Sequence, residues 1–144
     1  MHYVDTSVLA AYYCPEPLSE QVQSLLLDEI TPALSFLTEV ELFSAVARKV
    51  RFGEIGKADG NRILAKFTSH VDANLFTVIA VEQHHWRLAR GWLGLFTTPL
   101  KTLDALHLAI ASAEGCELIT ADKALCRAAA DLGVPARLVG ESRP

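Results

Sequence analysis

Short apolar runs and longer stretches of helical spacing take turns along the chain. His2 to Val4 is a brief apolar start ending at Asp5-Thr6-Ser7, and Val8 to Tyr13 then reads as a helix stopped by Pro15 and Pro17. Leu18, Val22, Leu25 and Leu26 recur at helical spacing and predict a second helix from Leu18 to Asp28. Ala33 to Phe36 follows Pro32 as a short strand. Thr38 to Phe52 and Lys57 to Val71 predict two more helices, separated by Gly53 and Gly56. Phe76 to Val81, rich in Val, Ile, Phe and Thr, is the clearest strand. Glu82 to about Leu95 follows as a helix with His85, Leu88, Ala89, Trp92 and Phe96 on one stripe. Thr102 to Glu114 is helical and apolar nearly all round, so deep burial is expected of it. Glu117 to Thr120 reads as a strand, Lys123 to Leu132 as a helix ended by Gly133, and Ala136 to Val139 as a last strand.

Strands alternating with helices predict an α/β fold: one parallel sheet of about five short strands, covered by helices on both faces. The length of 144 residues suits one domain, expected over 1–140, with 141–144 as a loose tail. No repeat, linker or low-complexity tract divides it.

Composition narrows the class. Hydrophobic residues make up 51% and charged residues 21% of the chain, too apolar for disorder, and no run approaches the ~18 apolar residues of a membrane span. The amino terminus has no basic stretch leading into an apolar one, so a cytoplasmic location and no membrane association are expected. Cys14, Cys116 and Cys126 lack the spacing of a zinc or redox motif and read as reduced packing residues. The net charge of -4 argues against a general positive field for nucleic acid. Between Arg48 and Lys66, however, six basic residues face only Glu54 and Asp59; a solvated helix surface is the plainer reading of any one of them, and Arg48, Arg51 and Arg62 are the candidates for contact with a nucleic-acid backbone.

In an open parallel sheet, ligands bind outside the carboxyl ends of the strands. Asp5 ends the first strand, Glu41 lies in the helix after the second, and Asp122 follows the strand ending at Thr120. Asp104 opens a helix expected to run antiparallel to the 117–120 strand, which brings it to the same edge. Each has a plainer role open to it: Thr38 to Glu41 matches a capping box, Asp5 and Asp122 suit helix N-caps, and Asp104 complements a helix dipole. Converging carboxylates would repel one another and demand a cation, and a hard dication such as Mg²⁺ takes such oxygen ligands. Adjacent His84 and His85 should diverge by about 100° on a helix, a poor chelating pair. His85 and His107 read as core residues, His107 with a smaller prospect of touching the site. There is no GxGxxG, GxxxxGK[ST] or GxSxG, so dinucleotide, P-loop and α/β-hydrolase chemistries lack their motifs.

Three segments together, Val4-Asp5-Thr6-Ser7-Val8-Leu9, Leu103-Asp104-Ala105-Leu106-His107-Leu108-Ala109 and Leu118-Ile119-Thr120-Ala121-Asp122, resemble the PIN-domain family, and more narrowly its VapC-type toxins. The resemblance runs from Tyr3 to about Val139. It implies a Mg²⁺- or Mn²⁺-dependent endoribonuclease aimed at structured RNA such as tRNA, a homodimer, and inhibition by a cognate antitoxin protein. It assigns metal binding and catalysis to Asp5, Glu41, Asp104 and Asp122, with hydroxyls at Thr6 or Ser7 and at Thr120 beside the metal. Glu39 rivals Glu41, although Leu42-Phe43-Ser44-Ala45 after Glu41 fits the family pattern better. Tyr12, Tyr13, Leu27, Trp86 and Leu93 look surplus to the core and are candidate interface residues. A non-toxin RNA-processing PIN nuclease is the nearest alternative. A signalling domain or a non-catalytic RNA-binding scaffold is the alternative from another class.

Overall fold

The computed structural model describes residues 1–140, so the tail expected at 141–144 lies outside the described residues. Five strands, β1 (His2–Val4), β2 (Pro32–Ser35), β3 (Thr77–Ile79), β4 (Glu117–Thr120) and β5 (Ala136–Leu138), form one sheet in the order β3-β2-β1-β4-β5. Every pairing is parallel. The helices are α1 (Thr6–Tyr13), α2 (Ser19–Ser24), α3 (Phe36–Arg51), α4 (Lys57–Asp72), α5 (Gln83–Leu93), α6 (Thr102–Ala113) and α7 (Lys123–Asp131). The α/β class and the parallel sheet expected from the alternating pattern are both present.

The two-residue period of the strands divides the core in two. Val4, Leu34 and Ile119 point into a cluster with Val8, Leu9, Leu42, Val46 and Phe67, on the face covered by α1 to α4. Tyr3, Ala33 and Leu118 point the other way, to Leu108, Ile110, Leu125, Ala128 and Ala129 of α6 and α7. Helix α5 packs outside α6 through Ala89, Ala105, Leu106 and Ala109. Chain direction explains the division. Strands are added leftward from β1 to β3 and then rightward from β4 to β5, and right-handed crossovers in opposite directions place their helices on opposite faces. The reversal falls between β1 and β4, the crevice where such sheets bind ligands.

Ala105 to Ala111 of α6 are all buried, as the all-round apolar pattern required. Burying side chains such as Leu108 and Ile110 contributes roughly 1.5–3 kcal/mol each, so this helix is fixed against β4. Helix α7 ends where Gly133 adopts φ 72°, the left-handed conformation glycine supplies at a helix C-terminus. Among the described residues no helix is long and apolar enough to cross a membrane.

Some local expectations are corrected. The helix expected over 18–28 is a short α2 followed by a π-helical turn, Leu25–Glu29. Helix α3 starts two residues early, at Phe36, and its capping exchange joins Ser35 and Thr38: the Thr38 hydroxyl accepts from the Ser35 amide at 3.4 Å. Glu41 therefore takes no part in a capping box. Helix α5 stops at Leu93, and Phe96, expected on its core stripe, sits at φ 57° and is 93% exposed. Tyr13 is buried against Phe67 and bonded to His70, and Leu93 packs on the α5–α6 cluster, so neither is a free interface residue. Leu27 and Trp86 are exposed as expected.

Candidate active site

Asp5 follows β1 directly and is 5% exposed. It caps α1, accepting from the Val8 amide at 3.3 Å. Ser7 Oγ donates to one carboxylate oxygen at 2.5 Å and Thr120 Oγ1 to the other at 2.6 Å. Both hydroxyls are themselves held by the chain after β4: Ser7 Oγ accepts from the Ala121 amide at 2.9 Å, and Thr120 Oγ1 from the Asp122 amide at 3.0 Å. Asp5 is thus locked across the β1–β4 switch point by residues of α1 and β4. Burial pushes its pKa above the ordinary carboxylate value, while the Ser7 and Thr120 bonds, nearby His107 and the Val8 amide pull it back.

The other acids reach the same place from different elements. Asp104 stands in the first turn of α6, half-buried, and its pKa is raised by burial and then by the charges of Asp122, Asp5 and Glu41, with His107 opposing. Asp104 is thus close enough to Asp122, Asp5 and Glu41 to be influenced by their charges, all at the carboxyl edge of the sheet. Asp122 caps α7, and both amide bonds, from Ala124 and Leu125, go to Oδ1, leaving Oδ2 outside the cap. Asp5 and Asp122 are thus both helix N-caps, the plainer role open to them, and in Asp122 the cap uses one carboxylate oxygen. Burial, and then the charge of Asp72 on α4, raise the pKa of Glu39, the rival to Glu41.

Glu41 has a partner the sequence had mostly consigned to the core. His107 Nε2 bonds to Glu41 Oε1, and His107 Nδ1 lies 2.7 Å from the Tyr3 hydroxyl. A carboxylate only accepts, so Nε2 carries a proton; in the neutral ring Nδ1 then accepts from Tyr3. The Tyr3 oxygen in turn receives Ser35 at 2.9 Å and Thr38 at 3.2 Å. Burial, with these two bonds opposing, takes the Tyr3 pKa up to about 12, so its proton stays on the chain of donors. Tyr3 was not among the residues singled out in the sequence. The only available signal was a polar-tipped aromatic beside Asp5 in a buried strand.

Among the described residues, no lysine or arginine pairs with Asp5, Asp104 or Asp122. Thr6 Oγ1, adjoining Asp5, is buried with no hydrogen-bond partner. Oxygen-only donors, uncompensated negative charge and an orphaned hydroxyl fit a hard divalent cation such as Mg²⁺ or Mn²⁺.

A cleft of about 590 Å³ leads away from Thr6, Glu41 and Leu103 along α3, past Ser44 and Arg48 to Phe52. Of the three arginines expected to meet RNA, Arg48 lines this cleft and Arg51 adjoins it through the Phe52 ring. Arg62 belongs to α4, pairs with Asp59 at 3.1 Å and does not line the cleft.

His84 and His85 do not diverge as expected. Their ring centroids are 4.0 Å apart, and their Nε2 atoms lie 3.5 and 2.9 Å from Glu114 Oε1. The α5 start curls both rings toward the end of α6. Among the described residues these three offer a compact donor set, within 4.8 Å of one another, tighter than that of the four acids. Yet buried His85 accepts the Glu82 amide at Nδ1, at 2.9 Å, so its Nε2 carries the proton and donates to Glu114. That nitrogen has no lone pair to give a metal, and the cluster reads as a structural clamp. Cys14 and Cys116 are buried free thiols, as expected.

The fold and site together define a doubly wound parallel α/β domain with an acidic cluster at its switch point. The PIN-domain family model matches residues 2–131, and the chain belongs to the PIN-domain family. No curated protein matches it. Among solved structures it is similar to VapC20 of Mycobacterium tuberculosis, a sarcin-ricin-loop-cleaving toxin, at 18% identity over 100% of both chains with a TM-score of 0.71. It is also similar to FitAcB from Neisseria gonorrhoeae (20% identity, 94% of this chain and 96% of the other, TM-score 0.70). A third likeness is to VapBC2 from Rickettsia felis bound to a promoter DNA fragment (17% identity, 96% and 98%, TM-score 0.68). These likenesses are of fold.

Proposed function

We propose that this PIN domain is a divalent-metal-dependent endoribonuclease of the VapC toxin type, restrained by a cognate antitoxin. The observation that carries the proposal is a rigidly held Asp5 with Glu41, Asp104 and Asp122 near it and, among the described residues, no lysine or arginine paired with any of the three aspartates. Asp5, Asp104 and Asp122 are the residues that would hold Mg²⁺ or Mn²⁺, with Thr6 Oγ1 beside them. Such an ion supplies polarisation of a phosphodiester and a lowered pKa for an attacking water.

The protein's own groups do the rest. Ser7 and Thr120 fix both oxygens of Asp5, so its geometry needs little reorganisation when substrate arrives. Glu41, held by the Tyr3–His107 chain, would complete the acidic pocket and orient the hydrolytic water. Arg48 lines the route by which a phosphate backbone would enter. The likeness to a toxin that cleaves the sarcin-ricin loop supports structured RNA, ribosomal or transfer, as the substrate class. Likeness to a toxin-antitoxin complex from Klebsiella pneumoniae supports a protein antitoxin as partner. Exposed Phe36, Val40 and Phe43 on α3 fit a surface that such a partner or a second copy of the chain would cover.

The test is incubation of the purified protein with total RNA, with Mg²⁺, with Mn²⁺ and with EDTA, followed by mapping of the cut sites. Discrete cuts that need the metal and vanish in Asp5→Asn are expected. An Asp5→Asn protein that cuts at the wild-type rate would refute the assignment.

A further inference from the structure

The cleft beside the acids ends on an aromatic ring that neither the core nor the metal chemistry uses. Phe52 caps α3 and is 66% exposed, its backbone pinned by a 3.0 Å bond from its amide to Arg48 O. A single exposed phenylalanine is ordinary. This one has the guanidinium carbons of Arg48 and Arg51 at 5.6 and 5.8 Å from its centroid, and it lines the same cleft as Thr6 and Glu41. Lys49, the other cation there, is engaged by Glu16 and Glu54 at 3.5 Å each, which offsets one of their two charges. Among the described residues no carboxylate pairs with Arg48 or Arg51. An exposed ring flanked by two guanidiniums that have no carboxylate partner combines an aromatic surface with charge for a phosphate backbone, the pairing that single-stranded nucleic acid requires.

Resting on the nuclease reading above, we propose that Phe52, with Arg48 and Arg51, is a subsite that stacks one unpaired RNA base at a fixed distance from the scissile phosphate. The ligand is the π-face of a nucleobase in a single-stranded segment, without preference for its hydrogen-bonding edge. Eleven residues of helix separate Glu41 from Phe52, about 16 Å along the α3 axis. A stacked strand advances ~3.4 Å per nucleotide, so the subsite lies no more than about five nucleotides from the cut, and nearer if the strand is stretched. Such a subsite sets which strand segment must be unpaired for cleavage.

The experiment uses the full chain in EDTA with a short unstructured RNA of mixed sequence carrying a fluorescent adenine analogue, read by anisotropy and by quenching. Wild-type protein should bind and quench. Phe52→Ala should weaken binding roughly 5- to 150-fold and abolish quenching, and Phe52→Trp should restore both. A thermal melt matching wild type establishes that the exposed-site variant is folded. An abasic nucleotide moved stepwise from the mapped cut site should mimic Phe52→Ala at one position only, and there the two changes should not add. If wild type cuts RNA with Mg²⁺ while Phe52→Ala binds and quenches as wild type does, the subsite is overturned and the nuclease reading stands. The subsite is equally overturned if Phe52→Ala impairs capture of a protein inhibitor but not of RNA. If wild type neither binds nor cuts RNA, the nuclease reading falls and takes the subsite with it.

Discussion

Asp104 offers a direct test of the strained acid cleft, because it can be neutralised without removing a hydrogen bond. Its carboxylate is half-buried and is repelled by Asp122, Asp5 and Glu41. At a half-exposed position each such repulsion is worth on the order of 0.3 kcal/mol, so Asp104→Asn should stabilise the metal-free protein by about 1 kcal/mol at neutral pH. With ~2.1 cal/mol/K of unfolding entropy per residue, the 144-residue chain has about 0.3 kcal/mol/K, and the gain becomes a Tm rise of roughly 3 °C in EDTA. The pH dependence has a definite sign. The folded-state pKa of Asp104 is raised, so folding favours the protonated acid; the penalty is absent below the unfolded pKa and complete above the folded one. The advantage of Asp104→Asn should therefore shrink as pH falls into the carboxylate range. Adding Mg²⁺ at ~100 times its dissociation constant should raise the wild-type Tm by about 9 °C, from roughly 2.7 kcal/mol of linkage, and should raise the variant much less. Scanning calorimetry with and without metal measures both shifts. A variant less stable than wild type in EDTA, or equally stabilised by Mg²⁺, would refute the reasoning.

Three further outcomes can be checked. Tyr3→Phe removes the buried hydroxyl joining Ser35, Thr38 and His107, so it should cost about 1–3 kcal/mol, lower Tm by roughly 3–10 °C, and slow cleavage through a loosened Glu41; unchanged values for both would discount the network. Gly60→Ala places a Cβ 2.8 Å from Val50 Cγ2, a stiff β-branched side chain, so overpacking at α3–α4 should outweigh the better helix propensity by about 1 kcal/mol, and a higher Tm would contradict this. Replacing Arg48 and Arg51 together by Ala should lower the log–log salt slope of single-stranded RNA binding by about 1.4, whereas Arg62→Ala, outside the cleft, should leave it unchanged.

How far the sequence reached depends on whether a property is local. Period-2 runs such as Tyr3-Val4 and Leu118-Ile119 and the all-round apolar α6 specified strands, helices and layers, because burial follows directly from which side of an element a residue occupies. Placement of Asp5 and Asp122 at one edge followed from parallel connectivity, and that of Asp104 from the antiparallel run of α6 against β4; the influence of Asp122 and Asp5 on Asp104 agrees with it. Element ends were less legible. The α3 capping exchange moved to Ser35 and Thr38 because the strand before it ended a residue sooner, and Phe96 left its stripe when the backbone turned left-handed.

What the chain alone determined is therefore the class of fold, the edge at which its acids gather, and the hard-oxygen character of that edge. Only the tertiary structure decided who partners whom: that His107 holds Glu41 while Tyr3 orients His107, that His84 and His85 close on Glu114, and that Arg48 faces the cleft while Arg62 does not. The physical reason is range. Hydrophobic periodicity is written into neighbours three or four residues apart. The Tyr3–His107 bond spans 104 residues and the His107–Glu41 bond 66, and such contacts exist only once two packed layers bring those side chains within 3 Å or so.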